Sequence, residues 1–278
     1  MNNSIKLIAV DMDGTLLRSD KTVDPRTAED IQTAAEHGIH TVYCTGRGLA
    51  EMQDTFRVLP MIRWAVCNSG GVVYDRTGDR IIFRNGVGQP YIQQIVELAS
   101  RYRAMPHFLT DRESVVSADD ITHMADFHMG IYQPMFEQIT RRAADMTMEA
   151  ALQTSVAKIN IYFRSAEDRQ AAFDTLKQLP LQVSLSENTT LEMTAPGTNK
   201  GTGLERLAEH LSLPLSQIAA VGDNYNDVEM LKTAGLSFAM GNAIDEIKSM
   251  CAHVTADNDH NGVGEAIRTI LGMEDRLS

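Results

Sequence analysis

The chain is poor in the features that would place it outside a reducing, aqueous compartment. It has three cysteines in 278 residues, Cys44, Cys67 and Cys251. Their spacing fits no metal site and they make no paired disulfide framework, so a reducing cytosol suits them best. No apolar run approaches roughly 18 residues, which excludes a predicted transmembrane helix. Met1-Asn2-Asn3-Ser4 lacks the pattern of a secretory signal, so a cytoplasmic protein is expected. Positive charge is also short: 25 Lys and Arg stand against 37 Asp and Glu, for a net charge of −12. With no basic run or patch, general binding to nucleic acid or to a membrane surface is not expected. A phosphorylated small molecule is still possible as a partner, because a local metal and lysine can override the global field. There are no repeats and no low-complexity segments, and nothing indicates an oligomeric state. What is present is an ordinary globular composition, 43% hydrophobic, long enough for one large or two modest domains.

The most informative stretch is Asp11-Met12-Asp13-Gly14-Thr15-Leu16-Leu17, behind the apolar run Ile5–Val10. That run is short, nearly continuous and β-branched, the pattern of a fully buried strand. Two carboxylates at its end would be costly to bury unpaired, so they belong at an open strand end with a cation or proton. In parallel α/β sheets, ligands bind at that end. Asp11 can attack phosphorus as a carboxylate nucleophile, giving an aspartyl-phosphate. Attack on a phosphate dianion needs a neutralising cation, which implies Mg²⁺. Asp13 is placed to protonate the leaving oxygen and then deprotonate water. An Asp-Gly turn with a helix cap would explain a bare DxDG, but not the longer pattern behind a buried strand.

Downstream, Asp24-Pro25 reads as a helix start ended by Gly38, and Ile39–Cys44 as a second strand, which completes a βαβ unit with a parallel sheet. Thr45-Gly46-Arg47-Gly48 follows that strand. Thr45 can donate its hydroxyl, and amides nearby can face an anion. Trp64–Cys67 is a third strand, followed by Asn68-Ser69-Gly70-Gly71 and a hairpin over Val72–Phe83. Cys44 and Cys67 suit small core positions better than reactive ones. From about Arg84 the pattern becomes that of an α+β insert, rich in Met and His. Its methionines (Met105, Met124, Met129, Met135, Met146, Met148) suit core packing. His123 and His128 fall on different helix faces and do not suggest a metal site.

The main pattern is expected to resume with a strand at Thr190–Met193. Pro196-Gly197-Thr198-Asn199-Lys200-Gly201 then opens a helix, Thr202–Leu211. A lysine at a helix N-terminus opposes the macrodipole unless its ammonium meets an anion. Ile218–Val221 is a further buried strand, ending in Gly222-Asp223-Asn224-Tyr225-Asn226-Asp227. Asp223 can add a second metal oxygen, Asn226 can bind a phosphate oxygen without adding charge, and Asp227 can orient Lys200 or the metal's waters.

Read together and in order, DMDGTLL, CTGR, the NKG lysine and GDNYND resemble the four motifs of the haloacid dehalogenase-like phosphatase superfamily. NSGG, AMGNA and VTADNDHNGVG are similar to its Cof-type subgroup. The matches lie on both flanks, and the insert carries none. The resemblance implies an α/β fold: a Rossmannoid parallel-sheet core (1–83 and 190–278) with an inserted α+β cap of the C2 type (84–189) that governs substrate specificity. It implies Mg²⁺-dependent hydrolysis of small phosphate esters, such as sugar phosphates or phosphorylated cofactors. Asp11 would be nucleophile and metal ligand, and Asp13 acid/base and metal ligand through its carbonyl. Asp223 would bind metal. Thr45, Lys200, Asn226 and the Met12 and Gly46 backbones would hold phosphate. The alternatives on the same fold are a phosphomutase-like phosphotransferase and a non-catalytic regulator that binds a phospholigand.

Overall fold

The computed structural model describes residues 4–274, with side chains through 272. Residues 1–3, part of the stretch read for targeting, lie outside the described residues. The chain divides into two compact units. One comprises residues 1–46, 54–83 and 199–278, and the other residues 47–53 and 84–198.

The first unit is built on an eight-stranded sheet. Its order runs from His253–Val254 through Leu236–Ala239, Ile218–Gly222, Leu7–Val10, His40–Cys44, Trp64–Cys67 and Val72–Asp75 to Arg80–Arg84. The six strands from His253–Val254 to Trp64–Cys67 are parallel, and Val72–Asp75 joins antiparallel. Leu7–Val10 is central. Leu7, Ile8, Ala9 and Val10 are all fully buried, as a parallel strand covered on both faces must be. The helix expected after Asp24 spans Pro25–Glu36. Asp24 caps it by accepting from the Arg26 amide, and Pro25 opens it, where a missing N–H costs nothing. The expectation of a Rossmannoid sheet holds. Each parallel strand ends at the same edge, so the loops after Val10, Cys44 and Gly222 are brought together there.

The second unit holds a six-stranded sheet of order Gln182–Ser186, Thr190–Thr194, Lys158–Tyr162, Met105–Leu109, Ser114–Ser117, Thr140–Ala143. Here the structure corrects one expectation. Thr190–Thr194 does not resume the first sheet; it pairs antiparallel with Lys158–Tyr162 and with Gln182–Ser186. The reason is its alternation. Leu191 and Met193 enter the apolar core beneath this sheet beside Ile159, Ile161 and Phe108, while Glu192 on the opposite face pairs with Lys158 at 2.7 Å. A short strand before NKG carries no sign of which sheet it will join. The methionines are largely core, as expected: Met105, Met124, Met129 and Met146 are buried, whereas Met148 is exposed. His123 and His128 are both exposed, and each bonds a backbone carbonyl.

His107 is a different case. It is fully buried, with Nε2 2.7 Å from Ser114 Oγ and Nδ1 3.3 Å from Tyr162 Oη. Burial, helped by the Lys158 charge, pushes its pKa down to about 3. The unfolded chain takes up a proton near pH 6.5 that the folded unit refuses, so stability is complete above that pH and declines below it. The decline is at most roughly 1.4 kcal/mol per pH unit for one proton. The urea midpoint should therefore fall between pH 6.5 and 5 in the wild type and fall less steeply in His107→Gln. Equal slopes would show that His107 is not the source.

Candidate active site

The site residues of the first unit sit on loops that leave three neighbouring strand ends. Asp11 follows Leu7–Val10, and its amide still bonds the Val221 carbonyl at 3.1 Å, which ties the first motif to the fourth. Its side chain is buried. Thr45 is buried where His40–Cys44 ends; its amide bonds Val66 O at 2.8 Å and its carbonyl accepts from Ser69 N at 3.0 Å. The TGR and NSGG loops are thus one hydrogen-bonded unit.

Lys200 is the first residue of the helix Lys200–Leu211, which Asn199 caps through the Thr202 amide. Its ammonium is fully buried and bonds Asp11 Oδ1 at 2.5 Å and Asp227 Oδ1 at 2.6 Å. The lysine is tolerated at a helix N-terminus because it meets anions there, as the sequence suggested. The close approach of this helix depends on Gly70, held at φ 97; a Cβ there would fall 2.0 Å from the Asn199 carbonyl oxygen. The NSGG stretch, noted in the sequence only for its resemblance, therefore positions Lys200.

Asp227 is fully buried with both oxygens engaged. Oδ1 takes Lys200, and Oδ2 accepts from the Asp223 and Asn224 amides at 3.0 and 3.1 Å. Asp223 is half-buried and takes a 3.0 Å bond from Thr15 Oγ1. Gly14, at φ 85, is required beside it: a Cβ would lie 2.5 Å from Asp223 Oδ2. Asn226 stands exposed on the short turn Tyr225–Asp227, and Met12 is buried.

Carboxylate oxygens of Asp11, Asp223 and Asp227 lie within 4.8 Å of one another. Three carboxylates face one ammonium, so the cluster carries an excess of negative charge. Burial, then Asp227, push the Asp11 carboxyl up to about 8 against the pull of Lys200. Burial and Asp227 push Asp223 up to about 6. Burial would lower Lys200, but Asp11 and Asp227 outweigh it and keep the ammonium protonated. Hard oxygen donors with surplus negative charge are what Mg²⁺ requires, so the donor set fits that ion. Asp13 is not in this cluster. Its carboxylate is exposed and pairs with Lys21 Nζ at 3.0 Å.

The sequence reading missed four residues that shape the site. Besides Thr15 and Lys21, Asn242 donates to Gly14 O at 2.8 Å and Asn258 to Leu17 O at 2.9 Å. The two asparagines are joined, Asn258 N to Asn242 Oδ1, at 3.1 Å. They lie in AMGNA and VTADNDHNGVG, stretches quoted only for their resemblance. Their type was a signal, since an amide can bond two loops at once.

Replacing Lys200 by Met should lower stability by about 3–5 kcal/mol, because it leaves Asp11 and Asp227 buried without a counter-charge. Adding Asp227→Asn should return part of the loss. Urea denaturation without divalent ions is the measurement, and a Lys200→Met protein as stable as wild type would refute the electrostatic account.

Residues 8–267 match the haloacid dehalogenase-like hydrolase family. Phosphatase YwpJ of Bacillus subtilis is 27% identical over 292 residues, covering 96% of this chain and 100% of the relative. The 5-amino-6-(5-phospho-D-ribitylamino)uracil phosphatase YcsE of the same organism is 26% identical, covering 95% of each chain. The crystal structure of a haloacid dehalogenase-like hydrolase from Bacteroides thetaiotaomicron is similar at a TM-score of 0.84 with 27% identity, over 96% of this chain and 100% of that one. With the buried Asp11–Lys200–Asp227 arrangement at the strand ends and a match spanning nearly its whole length, the chain belongs to the haloacid dehalogenase-like hydrolase family.

Proposed function

We propose that the protein is a Mg²⁺-dependent phosphatase that hydrolyses small phosphate monoesters through an aspartyl-phosphate on Asp11. The observation that carries this reading is the buried contact of Lys200 with Asp11 at a strand end, 2.5 Å long, beside a second and a third carboxylate. Uncatalysed phosphate-monoester hydrolysis is among the slowest reactions known, and catalysis of phosphoryl transfer is mostly positioning and charge stabilisation. Mg²⁺, when bound, would neutralise phosphate charge, with Asp11, Asp223 and the Asp13 carbonyl as its ligands from the chain.

In this reading Asp11 Oδ attacks phosphorus. Lys200 holds the attacking carboxylate in place and offsets charge on the transferring group. Thr45, Asn226 and the backbones of Met12 and Gly46 bind the phosphate oxygens, and Asp227 keeps Lys200 aimed. Asp13 gives its proton to the leaving oxygen and then takes one from the water that cleaves the Asp11–phosphorus bond. The inserted segment, 84–189 in the sequence reading, is proposed as the part that selects the leaving group. Small cytoplasmic metabolites are the expected substrates, in keeping with the free cysteines and with the 5-amino-6-(5-phospho-D-ribitylamino)uracil named for one relative. Among the described residues no helix is long and apolar enough to cross a membrane.

A panel of sugar, nucleotide and vitamin phosphates should show phosphate release with Mg²⁺ and none with EDTA. Asp11→Asn should lower the rate by roughly 10³-fold or more, as loss of a nucleophile does. Product isomers with little free phosphate would indicate a mutase instead. Silence across the panel, with ligand-dependent thermal shifts, would indicate a binding protein.

A further inference from the structure

Asp13 stands apart from the buried carboxylates. Its side chain is 42% exposed, and its Oδ1 accepts from Lys21 Nζ at 3.0 Å. An exposed ion pair usually contributes little to stability, so contact alone would not single out Lys21. Three further features do. Lys21 sits at φ 66, a left-handed conformation that a side chain disfavours, and such strain tends to be kept where a site needs it. The strained residue closes a tight reversal, Lys21 N to Arg18 O and Arg18 N to Thr22 O, both 2.9 Å. That reversal carries the lysine back to a residue eight positions earlier.

The loop between them is also tied down from outside. Asn242 holds Gly14 O and Asn258 holds Leu17 O. Asp259 accepts from Ser19 N at 2.9 Å and from Ser19 Oγ at 2.7 Å. A long, flexible lysine stem is therefore delivered from a fixed base onto one carboxylate oxygen.

We infer that Lys21 is a positioning residue for proton transfer by Asp13, an inference that rests on the phosphatase reading. In the first half-reaction an Asp11 oxygen bonds to phosphorus, the ester P–O bond breaks, and the leaving oxygen takes the proton from the Asp13 carboxyl group. Lys21 holds that carboxyl by Oδ1 and steadies the carboxylate that forms. In the second half-reaction water bonds to phosphorus and gives its proton to Asp13. The bond from phosphorus to Asp11 breaks, and both side chains return to their starting state. Lys21 matters to the extent that the leaving group needs a proton.

That dependence separates a positioning role from a merely structural one. The comparison uses kcat/KM, which reports the first half-reaction, for wild type, Lys21→Met and Lys21→Arg with Mg²⁺. The substrates are the best alkyl ester of the panel, whose alkoxide needs a proton, and para-nitrophenyl phosphate, whose leaving group departs readily without one. Lys21→Met should lower kcat/KM for the alkyl ester by about 10- to 100-fold, up to the lower end of what general acid catalysis itself supplies. The loss on the aryl ester should be at least tenfold smaller, and Lys21→Arg should recover most of the alkyl activity. Equal loss on both esters, or no loss on either, overturns the role of Lys21 and leaves the phosphatase reading intact. A wild type inactive on both esters overturns both readings.

Discussion

A single buried ammonium organises the strand-end site of the first unit. Lys200 lies between Asp11 and Asp227, with none of the three exposed to water in any useful measure. Charges taken out of water must be paired at close range or they neutralise. Every nearby element serves that pairing. Asn199 caps the helix so that it starts at the lysine, and Gly70 lets the helix start come close to the strand ends. The Asp223 and Asn224 amides hold the remaining oxygen of Asp227. The cost of this arrangement is an excess of carboxylate, and that excess suits the cluster to a divalent cation.

Around this rigid centre the chemistry calls for one group that is less constrained. Asp13 is only two residues from Asp11, yet it lies in a different environment, exposed and joined to Lys21. Two residues apart on an extended strand they would share a face, but the strand ends at Val10 and the chain turns at once, with Leu16 N bonding Asp11 O and Leu17 N bonding Met12 O. Two carboxylates in sequence can therefore take two roles, one buried and held, the other accessible to a proton and to water. The loop that separates the roles is fastened by Asn242, Asn258 and Asp259 from the far end of the chain. That fastening gives a physical meaning to stretches otherwise noticed only by resemblance.

Much of this was legible in one dimension. The buried strand before Asp11, the Asp24-Pro25 helix start, the strand-end placement of Thr45 and Asp223 and the helix-start placement of Lys200 all follow from local rules of periodicity, capping and turn chemistry. The lysine at a helix N-terminus could be read as a site residue because it broke a local rule, and such violations mark function. Thr190–Thr194 was misassigned because alternation identifies a strand but not its partner strand. Its fate was decided by Leu191 and Met193 finding the second core. Lys21 was passed over because a lone lysine in a polar loop looks like any solvated one.

The sequence by itself therefore determined the kind of fold, the candidates for the reacting groups and the order in which they occur. These depend on short-range pattern and on residue chemistry, which the chain carries locally. Only the tertiary structure decided which groups share a charge environment. Pairing Lys200 with Asp11 spans 189 positions, and joining Thr15 to Asp223 spans 208. Electrostatic and hydrogen-bond energies depend on distance in space and on burial, and neither quantity exists until the strands have been laid side by side.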